Sequence, residues 1–384
     1  MTASEFTARL VGPAARIGRA NWNACANPEN AALPNPFTRY EFFEAAEESG
    51  SATAKTGWRP LHLVVERDGA IDGILPLYLK SHSQGEYVFD HAWADALERA
   101  GGDYYPKLQA SVPFTPVTGR RFLVRNPAAQ AALIAAGPAA VAQLEASSLH
   151  VTFLTEAEWG AAGEAGYLLR TDQQFHWHNR GYKTFDDFLA ALSSSKRKNL
   201  RKEREGVRAA GVAFDWLSGS DLTEAHWDQF FEFYMDTGGR KWGHPYLTRD
   251  FFSRIGASMA NQVLLVMARR DGRTIAGALN FMDAGTLYGR NWGCTEFVPF
   301  LHFETCYYQA VEFAIAKGLK KVEAGAQGAH KLLRGYLPVP TYSAHYISHP
   351  GLRRAVDDYL KREREAVAAQ IEDLAEHGPF RKPG

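Results

Sequence analysis

The chain has 384 residues, of which 46% are hydrophobic, 22% charged and 12% aromatic. This composition excludes a disordered, collagen-like or coiled-coil protein, and the length predicts two domains rather than one core. Lys plus Arg and Asp plus Glu both total 43. Because no net charge would attract nucleic acid or an acidic membrane, we expect no DNA partner, and any basic site must be local.

The cysteines and the lengths of the hydrophobic segments indicate the cellular location of the protein. Cys25, Cys294 and Cys306 form no C-x-x-C pair, which indicates neither a disulfide framework nor a zinc site and favours a reducing cytoplasm. The apolar run 263–268 is far shorter than the roughly 20 residues of a membrane helix. We therefore expect a cytoplasmic protein without a membrane span.

The first half of the chain is predicted to begin with a helix, from the capping box of Thr38 and Glu41 to about Ser49, and strand signals follow it. Residues 61–67, 71–80 and 86–90 predict an antiparallel meander of three strands, with a turn at Asp68-Gly69. Pro76 marks an edge or a bulge. An Ala-rich helix near 127–146 and the strand LHVTFLT follow.

The same order of signals returns in the second half. VLLVMARR, a turn at Asp271-Gly272, RTIAGALNFMD and LYGRNW predict a second meander over 263–292, which should superpose on 61–90. The helix HFETCYYQAVEFAIAK and the short strand KKVEAG come next. A strand, a crossover helix and a strand in one sheet form a parallel pair. Each half is thus predicted to be α/β, with a mixed sheet and helices on its faces.

A basic helical segment separates the halves. Thr184 and Asp187 form its predicted N-terminal cap, and residues 196–208 hold seven Lys or Arg against two Glu. A last helix is expected near 352–376. The predicted divisions are an N-terminal domain at 1–180, the basic segment at 181–211, a C-terminal domain at 212–349, and a helix and tail at 350–384.

Several strings resemble one family. SHSQGEYVFDHAWADA, YYPKLQASVPFTPVTG, SSSKRKNLRKERE, LHFETCYYQAVEFAIAKG and EAGAQGAHKLLRGYLP look like the FemAB-like family, GNAT-type proteins of peptidoglycan biosynthesis or recognition. The resemblance covers about 35–375 and implies tandem GNAT-like (Fem-type) acyltransferase domains with a helical linker. Fem-type relatives move an amino acid from aminoacyl-tRNA onto a cell-wall precursor, whereas most single-domain GNAT relatives use acetyl-coenzyme A.

The turn before the crossover helix bears on the donor. Coenzyme A users hold pyrophosphate there on a Gly-rich turn with accessible N–H groups, but CTEFVPFLHFE has Pro299 and no glycine pair. We therefore favour an aminoacyl-tRNA donor, with acyl-coenzyme A kept as an alternative co-substrate and no other cofactor expected. The candidate donor and phosphate ligands are Lys196, Arg197, Lys198, Arg201 and Lys202, whose alternative role is a solvated helix face.

Candidate catalytic residues follow the second parallel strand. Glu323 ends that strand, and Gln327, His330 and Lys331 come directly after it, where ligands of open sheets bind. Glu323, His330 and Glu304 are the candidates for removing a proton from an amine, while Gln327 and Lys331 are candidates for substrate binding. The alternatives are an ordinary strand-to-helix turn and, for Glu304, a capping role at the crossover helix.

Candidate binding residues lie in both halves. In LYGRNWG, two glycines allow a bulge that exposes a backbone N–H group. Alternation places Tyr288, Arg290 and Trp292 on one face of this strand and Asn291 on the other. The candidates in the first half are Tyr87, Asp90, His91, Trp93 and Lys107, which fit a substrate groove or a domain interface equally well. His176 and His178 share a strand face, but a pair without a third ligand does not predict a metal site.

The sequence thus predicts an acyltransferase or aminoacyltransferase that modifies the amine of a small molecule or peptide, such as a peptidoglycan-type precursor. The second half is expected to carry the reaction, with tRNA as a partner and the oligomeric state open. One alternative is an acetyl-coenzyme A-dependent N-acetyltransferase. Another is a non-catalytic module that recognises a peptide or cell-wall precursor.

Overall fold

The computed structural model describes residues 5–242, 245–325 and 328–381, without the side chains of 240–242 and 329. The chain divides into two compact units. Unit 1 comprises Met1–Asp172 and Pro340–Ala368, and unit 2 comprises Gln173–Val339 and Ala369–Gly384. Unit 1 is therefore built from two separate stretches of the chain, and the second stretch belongs to the C-terminal segment.

The strands of the described residues are β1 (Thr7–Val11), β2 (Trp58–Pro60), β3 (His62–Arg67), β4 (Ala70–Leu75), β5 (Leu77–Lys80), β6 (Lys107–Ala110), β7 (Leu123–Val124), β8 (Ser148–Leu154), β9 (Leu168–His178), β10 (Ala213–Leu217), β11 (Val263–Arg270), β12 (Arg273–Met282), β13 (Thr286–Cys294), β14 (Lys321–Glu323) and β15 (Leu337–Ile347). The divisions between the units fall inside β9 and β15.

The helices are α1 (Ala14–Ile17), α2 (Arg19–Ala26), α3 (Tyr40–Glu48), α4 (His91–Arg99), α5 (Pro127–Gln143), α6 (Glu156–Glu164), α7 (Phe185–Ala191), α8 (Ser194–Ala209), α9 (Glu224–Trp242), α10 (Arg249–Met259), α11 (Leu301–Phe303), α12 (Gln309–Ala316) and α13 (Pro350–Glu376). A π-helical turn, Glu304–Tyr308, joins α11 to α12 as one crossover helix. Short 3-10 turns include Ala329–Arg334.

Unit 1 contains two groups of paired strands. One is the antiparallel order β1-β3-β4-β7, and the other is β2-β5-β6-β8-β15, in which β6 and β8 are parallel. The apolar sides of these strands pack with Leu133 and Val141 of α5. A parallel strand pair on either side of the Ala-rich helix is present as predicted, but its first strand is β6, which the sequence analysis did not identify.

The predicted first meander is wrong in its third strand. β3 and β4 pair across the Asp68-Gly69 turn as expected, with positive φ at both turn residues. The chain then leaves this sheet at Pro76, and β5 pairs with β2 and β6 instead. Residues 86–90 form no strand, because their acidic side chains turn inward to a buried lysine of β6.

Unit 2 contains the strand order β10-β11-β12-β13-β14-β9. β11, β12 and β13 form the predicted antiparallel meander, and β13 pairs with β14 in parallel after the crossover helix. Leu287, Val322 and Trp177 pack against the crossover helix in one hydrophobic cluster. We call this sheet surface the helix face, and the opposite surface, which carries Tyr288 and Glu323, the polar face.

The basic segment is helical, as predicted, but it is two helices. Thr184 and Asp187 form the expected capping box of α7. The chain is extended at Leu192 before α8 begins, and Leu200 and Val207 are the buried residues of α8. In the described part of the chain, no helix is long and apolar enough to cross a membrane.

Candidate active site

A β-bulge interrupts the pairing of β12 with β13. Leu279 pairs with Asn291 and Asn280 pairs with Gly289, so Arg290 is the inserted residue of the bulge. Gly289 permits this approach, because a Cβ there would lie 3.3 Å from the carbonyl oxygen of Glu323. The predicted bulge is present, and it makes Arg290 an extra residue of β13, next to the positions at which β13 pairs with β14.

The bulge also changes which side chains share a face. Tyr288 pairs with Phe281, and Trp292 pairs with Ala278, which belongs to the helix-face cluster. Because one residue has been inserted between them, Tyr288 and Trp292 point to opposite faces, and Asn291 shares the polar face with Tyr288. The expectation that Tyr288, Arg290 and Trp292 share one face is therefore wrong.

Glu323 is the central buried carboxylate of the polar face. In the strand register it pairs with Tyr288 on one side and with His176 on the other. Its Oε1 accepts a hydrogen bond from Lys321 Nζ at 2.5 Å, and His176 Nε2 lies 3.8 Å from its Oε2. Within the described residues, no donor hydrogen-bonds to Oε2.

Burial sets the protonation of this group. Desolvation raises the pKa of Glu323, with Lys321 opposing the shift. Desolvation also lowers the pKa of His176 well below its usual value, and the nearby Lys321 lowers it further. At neutral pH the imidazole is thus uncharged, and Glu323 has a raised affinity for a proton. Such a carboxylate is suited to accept a proton from a substrate.

The turn after β14 brings further candidates near the bulge. Lys331 Nζ donates to the carbonyl oxygen of Gly325 at 2.9 Å, and burial lowers the pKa of Lys331 to about 8, with a smaller lowering by the Arg290 charge and an opposing effect of Cys306. His330 Nε2 lies 3.0 Å from the hydroxyl of Tyr307. Gln327 lies outside the described residues.

Glu304 lies apart from Glu323. It belongs to the crossover helix, whereas Glu323 points to the polar face. Arg204 Nη2 donates to its Oε1 at 2.9 Å, and Gln309 Nε2 donates to the same oxygen at 2.8 Å. Arg204 Nε also donates to its Oε2 at 3.1 Å, so the carboxylate of Glu304 is ion-paired with α8.

Unit 1 holds a second buried polar cluster. Lys107 Nζ donates to Ser83 Oγ at 2.7 Å, to Glu86 Oε2 at 2.9 Å and to Asp90 Oδ2 at 2.5 Å. Tyr104 adds a hydroxyl bond to Asp90 Oδ2 at 2.7 Å. Two predicted binding residues, Asp90 and Lys107, are thus brought together, but each uses buried atoms to hold the other.

The titration of this cluster follows from its burial. Burial lowers the pKa of Lys80, which pairs with β6 at Lys107, to about 7. It likewise lowers the pKa of His150 to about 3. Burial opposes ionisation of Asp90, but Lys107 and the other donors outweigh it and lower the pKa of that carboxyl. The Asp90–Lys107 pair therefore remains charged at neutral pH.

The remaining predicted residues of unit 1 surround this cluster. Tyr87 has a positive φ of 60° in the loop before α4. His91 is exposed, with its ring stacked at 6.3 Å on Phe89. Trp93 is buried and packs edge-on against His345 at 5.0 Å.

A cleft lies beside the basic helix α8. Its volume is about 720 Å³, and α7, α8 and Glu312 of α12 line it. Its lining residues are Thr184, Phe185, Asp186, Leu189, Arg201, Lys202, Arg204, Glu205, Arg208 and Glu312. Of the five predicted phosphate ligands, Arg201 and Lys202 line this cleft, Lys198 is exposed outside it, and Lys196 and Arg197 are half-buried.

Sequence reasoning missed several residues of these clusters. Lys321 donates a hydrogen bond to Glu323. Asp283 accepts a hydrogen bond of 2.6 Å from the hydroxyl of Tyr288. Period-two alternation from Glu323 would have found Lys321. The ion pair of Arg334 with Glu203, at 2.8 Å, joins residues far apart in sequence and has no local signal. The described residues contain no group of three His, Cys, Asp or Glu placed to hold a metal.

A family model identifies the family of this chain, and solved structures are similar to it in fold. A family model named FemAB-like, described as peptidoglycan biosynthesis/recognition, matches residues 14–382. The structure of FemX is similar with a TM-score of 0.54 and 12% identity, over 88% of this chain and 98% of FemX. L-PGS from Bacillus licheniformis is similar with a TM-score of 0.52 and 11% identity, over 86% and 98%. No curated protein sequence matches. The predicted family and Fem-type α/β fold are confirmed.

Proposed function

Because the chain belongs to the FemAB-like family, we propose that it transfers an acyl or aminoacyl group to an amine of a peptidoglycan-type precursor. Unit 2 is the proposed catalytic unit. The observation that supports this choice is the buried Glu323, whose Oε2 lacks a hydrogen-bond partner in the described residues beside the Arg290 bulge. Aminolysis needs a proton acceptor and hydrogen-bond donors for the oxyanion, and Glu323 and the backbone N–H groups of the bulged strand are the candidates for these two roles.

The proposed chemistry is direct attack of the amine on the donor carbonyl. The amine nitrogen forms a bond to the carbonyl carbon, and Glu323 accepts the proton that the nitrogen loses. Backbone N–H groups at the bulge stabilise the tetrahedral oxyanion. Collapse of the intermediate breaks the bond to the leaving oxygen or sulfur of the donor, which takes up a proton. Lys331, with its lowered pKa of about 8, is the proposed source of that proton.

The proposed donor is aminoacyl-tRNA. The start of the crossover helix, where coenzyme A users bind pyrophosphate, carries the carboxylate of Glu304 close to Arg204. Because Arg204 is already bound by Glu304, it is not available as a cation for a pyrophosphate at this position. By contrast, α8 offers the exposed cations Lys198, Arg201 and Lys202 to phosphates.

The donor is tested by binding at several salt concentrations. Charged tRNA should bind the intact protein with an affinity that falls steeply with salt concentration. Replacing the five cations of α8 with Ala should reduce the slope of log affinity against log salt concentration by about one unit for each lost phosphate contact. The matched control replaces five exposed cations elsewhere with Ala: Lys55, Lys317, Lys320, Lys361 and Arg362. Tight acetyl-coenzyme A binding with equal salt slopes in both variants would favour an acyl-coenzyme A donor instead.

The catalytic assignment is tested with Glu323→Gln. This change preserves the shape of the side chain but removes the proton acceptor, so transfer to an amine-bearing muropeptide should fall by about 10²–10⁴-fold. Binding of charged tRNA should be retained. Glu47→Gln removes a similarly buried carboxylate from unit 1 and is the control. Unchanged turnover in Glu323→Gln would refute the assignment, and binding without turnover in the unaltered protein would indicate a recognition module.

A further inference from the structure

The loop between β13 and the crossover helix presents apolar side chains to water. Phe297 is 90% exposed and Phe300 is 40% exposed, and Pro299 between them is also exposed. Val298 is buried in one hydrophobic cluster with Val207 of α8. The buried valine anchors the loop while the two phenyl rings remain outside. An exposed apolar tip of this kind is a feature of interaction surfaces.

This aromatic tip, residues 297–300, lies against the basic helix. A Cβ on Gly206 of α8 would be 3.6 Å from the ring of Phe300. Lys198 and Lys202 precede Gly206 at successive intervals of four residues, so all three positions share one face of the helix. Both lysines are exposed. The ammonium groups of Lys198 and Lys202 are therefore on the helix face that the Phe300 ring contacts at Gly206.

The acidic groups near this surface are already paired. Glu296, within the loop, forms ion pairs with Arg270 and with Arg273, the latter at 3.0 Å. On α8, the exposed Glu205 forms an ion pair with Arg208 at 2.9 Å. The local charge around the aromatic tip is thus positive, although the whole chain is neutral. An anionic partner is electrostatically favoured.

We propose that the aromatic tip and the lysine row of α8 form a docking surface for an anionic lipid bilayer. The phenyl rings enter the headgroup region while Lys198 and Lys202 contact lipid phosphates. Pro299 favours a bilayer over RNA, because it adds apolar surface without a planar ring on which a base would stack. Docking of this kind does not rest on the proposed transfer reaction. It would bring the protein to acceptors held at a membrane.

Vesicle binding tests this surface. The full chain should cosediment with vesicles of phosphatidylcholine and phosphatidylglycerol, and weakly with phosphatidylcholine alone. Replacing both Phe297 and Phe300 with Ser should weaken binding at least about tenfold, since the apolar area of both rings is removed. Each of Lys198→Ala and Lys202→Ala should weaken it about fivefold, the factor for about 1 kcal/mol per basic residue. Phe89→Ser, at a ring 57% exposed in unit 1, is the control and should bind as the unaltered protein.

Charged tRNA separates the two partners that compete for the α8 cations. The double Phe→Ser change should leave tRNA binding intact, whereas the lysine changes should weaken both kinds of binding. Equal loss of tRNA and vesicle binding in the Phe variant would assign the rings to nucleic acid and overturn the proposal. Binding that does not depend on lipid charge, or is unaffected by removal of the rings, would also overturn it. Because Phe297, Lys198 and Lys202 are exposed, their changes should leave thermal unfolding unchanged, whereas Phe300→Ser should lower the unfolding temperature slightly through lost contact with α8.

Discussion

Removal of the Lys107 side-chain charge should strongly destabilise unit 1. Lys107 is almost fully buried, and its ammonium donates to Ser83, Glu86 and Asp90. Lys107→Met keeps most of the side-chain volume but leaves two buried carboxylates without their shared cation. Removing one partner of a buried ion pair costs about 3–5 kcal/mol. Asp90 loses its ammonium partner, whereas Glu86 keeps Lys80 at 3.3 Å, so we expect a loss within that range.

The loss should depend on pH in a defined direction. The pKa of Asp90 is lowered in the folded protein, so its ionisation contributes stability above its unfolded pKa, near 4, and that contribution is lost as pH falls through the folded pKa. Lys107→Met removes much of this contribution. The difference in unfolding free energy between variant and unaltered protein should therefore be largest at neutral pH and shrink in acid.

Urea unfolding followed by tryptophan fluorescence measures this difference. Lys55→Met, at an exposed lysine of unit 1, should unfold as the unaltered protein does. Changing Glu86→Gln and Asp90→Asn together with Lys107→Met should recover part of the loss, because neutral groups tolerate burial better than unpaired charges. If Lys107→Met lies within about 1 kcal/mol of the unaltered protein at pH 7, the cluster is not the stabilising ion network inferred from its geometry.

Two further changes probe packing and titration. Gly293→Ala should destabilise the protein by about 3 kcal/mol in urea unfolding, because its Cβ would lie 2.0 Å from the carbonyl oxygen of Phe233. The control Gly160→Ala, which has open space around it, should stabilise the protein by about 0.5–1 kcal/mol. Equal effects of the two changes would contradict the close packing of α9 on β13. Burial lowers the pKa of Lys80 from 10.5 to about 7, so the unfolded chain binds more protons between these values. Stability should therefore rise with pH across that window, and Lys80→Met should remove this part of the rise; an identical pH dependence in both proteins would contradict it.

Local signals predicted much of unit 2. The Asp271-Gly272 turn and the alternation on either side of it were enough to predict β11, β12 and β13. The capping pair Thr184 and Asp187 placed the start of α7. These features depend on residues a few positions apart, so a single sequence contains them. The two glycines of LYGRNWG indicated the bulge in the same way.

The failures came from long-range contacts. Residues 86–90 alternate like a strand, but Glu86 and Asp90 bind Lys107, which lies 21 and 17 residues further along the chain. The carboxylate of Glu304 is bound by Arg204, 100 residues earlier, an ion pair that the sequence did not predict. No local pattern reports either partner. The prediction that Trp292 shares a face with Tyr288 was wrong for another reason. One inserted residue, Arg290, reverses the alternation of the side chains that follow it.

The buried carboxylates Glu86 and Glu323 show why the chemistry is proposed for unit 2. Both have a raised pKa from burial. The oxygen Oε1 of Glu86 forms no hydrogen bond within the described residues, but the Lys80 ammonium is 3.3 Å away and Lys107 holds the other oxygen. The described neighbour of Glu323 Oε2 is instead the imidazole of His176 at 3.8 Å, which burial keeps neutral. Below about pH 7 an incoming proton is therefore opposed by the Lys80 cation at Glu86 Oε1, whereas at Glu323 Oε2 it meets an uncharged neighbour.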